Sequence, residues 1–254
     1  MIKIVLIGAG HLAFHFQEQF SRCKEVVLEQ WYSRSIEKIK FAEKTVDITD
    51  QIPKLKAADL YLICISDSAI PEISNKINVT GVVVHCAGSV PMEVLSNHPR
   101  HGVFYPLQTF TKTREVRFDR LPFCLESAIE TDFELLEKLA LLLGGTPHKV
   151  DSEKRVLIHL IAVVINNFGN HLLQLGSELS EHNNIPFDIF GPLIKETYEK
   201  AVAMGPQHTQ TGPAKRNDQQ TLDKHLSMLE SHDLKKLYLD LTTSIQKRNE
   251  QKQL

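Results

Sequence analysis

The hydropathy pattern changes once along this chain, and that change limits what it can fold into. Over residues 2–150, short runs rich in β-branched and aromatic residues alternate with segments of helical periodicity; from Ser152 onward only helical periodicity remains. The runs 2–8, 26–33, 58–66, 81–88, 102–107, 122–126 and 147–150 read as strands. Helical patterns fall at 10–22, 35–44, 69–77, 91–97 and 131–145. In the last, Thr131 is placed to cap, Glu134 to complete a capping box, and Gly144-Gly145 to stop the helix. Strands alternating with helices imply a doubly wound α/β domain with a parallel sheet, expected over 1–150. An all-α domain is expected over 151–254, with helices near 152–181, 187–204, 218–230 and 233–250.

The chain carries 29 basic against 31 acidic residues, a formal net charge of −2. A nucleic-acid surface usually makes a domain clearly basic, so nucleic acid is not an expected partner. Cys23, Cys64, Cys86 and Cys124 lie far apart with no CxxC, which predicts no metal site and thiols kept in a reducing cytoplasm. The apolar start MIKIVLIGAG reads as a strand, not a signal peptide, and no run is expected to reach the length of a membrane span.

The stretch IVLIGAGHLAFHF places Gly8, Gly10 and Ala13 in a GxGxxA pattern after the first strand, opening a helix. Gly8 permits a tight turn, Gly10 lets the backbone approach a pyrophosphate, and Ala13 allows helix and strand to pack closely. Unpaired N–H groups of the helix start then meet the phosphates, so Gly8, Ala9, Gly10, His11 and Leu12 are the expected dinucleotide cradle of a Rossmann-type domain. The second strand ends in Ser33, Arg34 and Ser35, where an NAD site would carry an acid. A guanidinium and two hydroxyls suit a 2′-phosphate, so NADP is favoured over NAD. A capped helix start at Ser33 or Ser35, with Arg34 in solvent, is the plainer reading of the same residues. Strand ends at Ile65, Ser66 and Asp67, and at Cys86, Ala87 and Gly88, are expected to flank the nicotinamide half, although Ser68 reads equally well as a helix cap and the second as a turn.

GxGxxA, then SRS, ISDS, HCAGS and YPLQTF, then a helical second half, resembles the superfamily of pyrroline-carboxylate reductases, deazaflavin-linked NADP oxidoreductases and 6-phosphogluconate-type dehydrogenases. More closely, the stretches HLIAVVINNFGNHL (159–172) and MGPQHTQTGPAKRNDQQTLDKHL (204–226) resemble a bacterial family of candidate NADP oxidoreductases with a C-terminal domain of unknown function. The resemblance implies a Rossmann-type domain, a helical domain like the C-terminal part of 6-phosphogluconate dehydrogenase, and a nicotinamide cofactor. It names no substrate. One departure is visible: Tyr105 precedes Pro106 where a His-Pro pair is expected, so no role for that histidine carries over.

The stretch 159–173 is apolar like a buried helix, yet it holds two imidazoles and three side-chain amides and no charge. At helical spacing Ser152, Arg155, His159, Asn166 and Asn170 share a stripe widened by Asn167, His171 and Gln174, opposite Leu157, Ile161, Ile165, Phe168 and Leu172. A solvent face normally carries Lys and Glu; neutral donors and acceptors suit a covered surface or a network satisfied within the core. The leading expectation is an oxidoreductase acting on a small carbonyl or imine in a cleft between the domains. His159 would exchange the proton, since histidine ordinarily titrates near working pH, and Asn167 would orient the reacting group. His208, Thr211 and Arg216 are candidate substrate contacts, and Asp218 a helix cap. The alternative is a non-catalytic NADP-binding sensor or scaffold, kept open because no lysine stands near His159 while related dehydrogenases carry a Lys–Asn pair there. A helix over 152–181 would be about 45 Å long, which predicts a homodimer through the C-terminal helices.

Overall fold

The structure, a computed structural model, describes residues 1–250. Eight strands form one sheet: β1 (Ile2–Ile7), β2 (Val26–Tyr32), β3 (Ile48–Thr49), β4 (Leu60–Ile63), β5 (Val82–His85), β6 (His101–Pro106), β7 (Pro122–Ser127) and β8 (Thr146–Lys149). Their spatial order is 3-2-1-4-5-6-7-8, and every neighbouring pair is parallel except β6 and β7. The first six follow the doubly wound order in which the chain reverses direction beside β1 and β4. Helix α1 (His11–Arg22) follows β1, the short α2 (Ile70–Ser74) lies between β4 and β5, and α3 (Glu130–Leu142) joins β7 to β8.

Both sheet faces are covered, as parallel strands require. Phe16, Phe20, Trp31, Phe104, Phe123 and Leu136 belong to the core on one face, and Tyr32, Tyr61, Ile63, Ile70, Val83 and Leu95 to that on the other. Alternation along β1 sends Ile4 and Leu6 to the first core and Val5 and Ile7 to the second.

Several local expectations are corrected. The helix expected over 35–44 is two 3₁₀ turns, Ile36–Lys38 and Lys40–Ala42. Its apolar residues recur every third position (Ile36, Ile39, Ala42), which suits three residues per turn, and Ile39 and Ala42 are buried. The pattern over 91–97 is one 3₁₀ turn, Met92–Leu95, whose first N–H is taken by Ser152 Oγ at 3.0 Å. Strand β3 was not visible in the sequence because two residues show no alternation. Helix α3 starts at Glu130 with Ile129 as its N-cap and no side-chain bond, so Thr131 lies inside the first turn and caps nothing. Ser68 likewise sits within a 3₁₀ turn, Asp67–Ala69, and makes no cap bond.

After β8 the chain enters a 31-residue helix, Ser152–His182. It comprises α4 (Ser152–Ala162), a π-helical turn (Val163–Phe168) and α5 (Gly169–His182). This helix is long and apolar enough to span a membrane, contrary to the sequence expectation that no run reaches that length. Its start is nevertheless tied to the sheet. Arg155, fully buried, pairs with Glu126 of β7 and donates to the Val90 carbonyl at 2.6 Å; Ser152 donates to the same carboxylate from its N–H (2.9 Å) and hydroxyl (2.8 Å).

Contacts divide the chain into two compact units, Met1–Leu173 and Gln174–Leu254. The change from strands to helices comes near 150, whereas the first unit keeps the helix through Leu173. The second unit contains the end of α5, then α6 (Gly191–Met204), the single turns α7 (Pro206–Thr209) and α8 (Pro213–Arg216), α9 (Gln219–Met228) and α10 (His232–Glu250). Asp218 caps α9 by accepting the Thr221 N–H at 3.2 Å.

Candidate functional site

The first site lies at the carboxyl ends of β1, β2, β4 and β5. Gly8 leaves β1 with φ +125°, and a Cβ there would stand 2.1 Å from the Cys64 carbonyl oxygen, so only glycine makes this turn. Trp31 Nε1 donates to the Gly8 carbonyl at 2.6 Å and holds it. A Cβ on Gly10 would meet nothing closer than 3.8 Å, which leaves backbone open to an approaching group. Gly10 is also the N-cap of α1 and supplies no side-chain cap, so the helix start keeps its N–H groups for a ligand.

These features open onto a crevice of about 480 Å³ lined by residues 8–12, 33–35, 65–67 and 86–87, together with Lys38. Of the cofactor residues expected from sequence, only Gly88 is missing from this lining. Ser33 is buried, and its hydroxyl donates to the Ser35 carbonyl at 3.0 Å while accepting the Ser35 N–H at 3.2 Å. That leaves exposed Arg34, Ser35 and Lys38 to meet an anion at the end of β2, and no carboxylate faces the crevice there. Lys38 was missed because the 35–44 pattern was taken for a regular helix. Asp67 accepts a 2.5 Å bond from Ser89 Oγ. The Cys64 and Cys86 sulfurs lie 3.4 Å apart, and burial pushes the Cys86 thiol well above its usual pKa. Below them His85 is fully buried, and its Nδ1 accepts the Ala87 N–H at 3.2 Å. Burial first, then the Arg155 charge, lowers its pKa to about 4, so the ring is neutral.

A second site adjoins the first at Gly88. A Cβ on Gly88 would stand 2.6 Å from His159 Nδ1 and 2.8 Å from Tyr105 Cζ: the imidazole of α4 lies directly on this strand-end glycine. His159 Nδ1 and the Tyr105 hydroxyl are hydrogen-bonded at 3.2 Å. Burial raises the Tyr105 pKa, helped by the charges of Cys124 and Asp67, so its hydroxyl stays protonated. The residue that departs from the expected His-Pro pair is therefore the partner of His159. Beyond them opens a pocket of about 670 Å³ walled by Leu107, Phe110, Ile158, Ile161, Ala162 and Ile165, with Asn166 and Asn167 at its edge. A further, polar pocket of about 780 Å³ shares Gln108, Thr109, Asn166 and Asn167 with it and adds Arg114, Arg117 and Asn170. The π turn carries two of these amides, Asn166 and Asn167, and Asn170 follows in α5; the turn winds more loosely than an α-helix, and such turns recur at functional sites.

All three pockets are built from the first unit. His208, Thr211 and Arg216 lie in the second, each exposed, with His208 in α7, Arg216 closing α8 and Thr211 between them. Sequence reasoning missed Arg114 and Arg117 because nothing near them in the chain marks the loop as part of a site.

A sheet ordered 3-2-1-4-5-6, a glycine turn opening a helix, and cations at the end of the second strand define a Rossmann-type dinucleotide-binding protein. Residues 121–245 match a domain of unknown function, DUF2520. A candidate NADP oxidoreductase from Bacteroides fragilis is 38% identical over 97% of this chain and 98% of its own, with a TM-score of 0.88. This chain belongs to that family. A protein from Thermotoga maritima (22% identical, 99% and 100% covered, TM-score 0.75) and a reductive aminase from Aspergillus terreus solved with NADPH (13% identical, 97% and 93% covered, TM-score 0.72) share the fold. No curated protein matches the sequence.

Proposed function

We propose that this protein is a cytoplasmic, NADP-dependent oxidoreductase acting on a small carbonyl or imine compound. One observation carries the reading. His159 rests on Gly88, directly after the crevice-lining Cys86 and Ala87, and forms one end of the apolar pocket. A proton-exchanging side chain thus stands where a dinucleotide crevice and a substrate-sized pocket meet. When bound, a nicotinamide supplies or accepts the hydride. Gly8, Gly10 and the start of α1 hold the pyrophosphate, and Arg34, Ser35 and Lys38 take the 2′-phosphate. His159 Nδ1–H donates to the Tyr105 hydroxyl oxygen, which leaves Nε2 to give its proton to the substrate heteroatom from the imidazolium, or to take one as the neutral ring. Asn167 orients the reacting molecule, and the apolar wall excludes water from it.

The protein acts as a homodimer through its C-terminal helices. This is supported by the apolar side of the long helix, where Leu157, Ile161, Val164, Ile165 and Phe168 are all more than half exposed; light scattering at micromolar concentration should give twice the chain mass.

The deciding experiment measures NADPH binding by calorimetry and NADPH consumption with a panel of small ketones, oxo acids and imines. NADPH binding is expected, with turnover of at least one compound. His159→Ala should lose about a hundredfold or more in kcat while leaving NADPH affinity unchanged. Binding without turnover of any compound would favour the non-catalytic sensor, and absence of NADPH binding would overturn the assignment.

A further inference from the structure

The polar pocket beside the apolar one carries two arginines. Arg114 and Arg117 line it and form no ion pair among the described residues; Glu115 lines it too, its carboxylate paired with Arg22 at 3.2 Å. Opposite stand Asn166, Asn167 and Asn170, which donate hydrogen bonds without bringing a negative charge. A solvated loop would leave its arginines free to move, but this one is fastened to α1 at four points. His11 Nδ1 bonds the Phe110 carbonyl at 2.9 Å and His15 Nε2 the Thr111 carbonyl at 3.1 Å. Lys112 Nζ lies 3.4 Å from the centre of the Phe14 ring, and Glu115 meets Arg22. Such fastening lowers the ordering cost of binding, and paired guanidiniums are the side chains that match an oxyanion's geometry.

Distance then restricts the ligand further. His159 and Asn166 are seven residues apart on one helix, about 10 Å along its axis. The wall between them is apolar, made by Ile158, Ile161, Ala162 and Ile165. We infer that the substrate carries an oxyanion head group, held by Arg114 and Arg117, separated from its reacting carbonyl or imine carbon by an apolar spacer of several carbon atoms. The inference rests on the oxidoreductase reading for the identity of the reacting carbon, and on the two joined pockets for everything else. It excludes 2-oxo acids, whose carboxylate adjoins the carbonyl, as the preferred class.

The test uses a homologous series of straight-chain methyl-keto acids, from 4-oxopentanoate to 10-oxoundecanoate, each beside its methyl ester, with 2-oxooctanoate as the short-spaced control. Binding is measured by calorimetry on the full-length protein, separately from NADPH binding. Acids of intermediate length should bind at least tenfold more tightly than their esters and than 2-oxooctanoate. The double variant Arg114→Gln/Arg117→Gln should remove that margin, with NADPH affinity and melting temperature unchanged because both arginines are exposed. An oxoalkyl phosphate of matching length that binds more tightly still would assign the head group as phosphate and support the inference. Equal binding of acid and ester, preference for the 2-oxo acid, failure of the whole series to bind, or a double variant that binds the acids normally would each overturn it. Failure of NADPH to bind, with the acid preference intact, would instead remove the oxidoreductase reading and leave the anion site standing.

Discussion

The crevice and the pocket beside it are made of different materials. The crevice is largely backbone: two glycines, an uncapped helix start and four strand ends, drawn together by a parallel sheet. The pocket is side chains: Tyr105, Phe110, His159 and the asparagines of the π turn, brought from β6, the loop after it and a helix some fifty residues away in sequence. A site made of backbone must repeat the same spacing wherever it occurs, because backbone geometry leaves few solutions. A site made of side chains can be assembled many ways and changes with each substitution. The crevice therefore speaks to cofactor class and the pocket to the individual substrate.

That contrast can be tested by damaging each part alone. The largest effect is expected from Glu126→Ala, which strands the fully buried Arg155 charge at the foot of α4. Removing one partner of a buried pair costs about 3–5 kcal/mol, so denaturant unfolding should show a loss of that order. The helix carrying His159 should loosen before the crevice does, and hydrogen exchange should rise first over α4. Loss of protection in α1 ahead of α4 would show that the two regions are one cooperative structure.

Acid comes next. His85 lies under the crevice with its pKa lowered from 6.5 to about 4. Between those values the unfolded chain binds a proton that the folded chain refuses. The contribution is therefore fully present above pH 6.5 and is lost as pH falls toward 4, amounting to about 3 kcal/mol. His85→Asn keeps an acceptor near the Nδ1 position for the Ala87 N–H but cannot bind the proton. Its stability, measured by urea unfolding across that window, should slope less steeply than that of the parent.

The smallest effect sharpens the comparison most. Arg34→Ala removes one exposed cation from the crevice rim and touches nothing in the pocket. It should weaken NADPH binding by about 1.5–2 kcal/mol, roughly ten- to thirtyfold, and leave NADH binding nearly unchanged. Lys38→Ala should act in the same direction and more weakly, as a point charge without the guanidinium fork. Equal affinities for the two cofactors in the parent protein would break this part of the argument.

How far each region could be read from sequence follows from the same distinction. GxGxxA needed no partner from elsewhere in the chain, and the strand ends at Ile65 and Cys86 followed once the strands were placed. The fold class was legible for the same reason, since β-branched runs and helical periodicity are local. Failures came where a distant contact decides. Ser152 takes the first N–H of the 92–95 turn, and Trp31 and Tyr32 turn Ile48–Thr49 into a strand. The polar stripe from His159 was visible, but its meaning was not: Arg155 belongs to the anchor at Glu126, His159 to Tyr105 and Gly88, and the asparagines to a pocket with Arg114 and Arg117. The π turn left no mark, because Val163–Phe168 has the composition of ordinary apolar helix.

That turn has a consequence for how the chain tolerates insertion and deletion. Its hydrogen bonds span one residue more than those of an α-helix, so the segment holds a residue that a regular helix would not need. Deleting one residue between Val163 and Phe168 would let the helix run regularly and so would not break it. Six residues at this wider turn sweep roughly the same angle as five at 100° each, so Asn170 would stay near the wall it shares with Asn166, whereas a deletion within α4 would rotate everything beyond it by about 100°. The length of α4, counted in single residues, is thus as much a part of the pocket as any side chain in it.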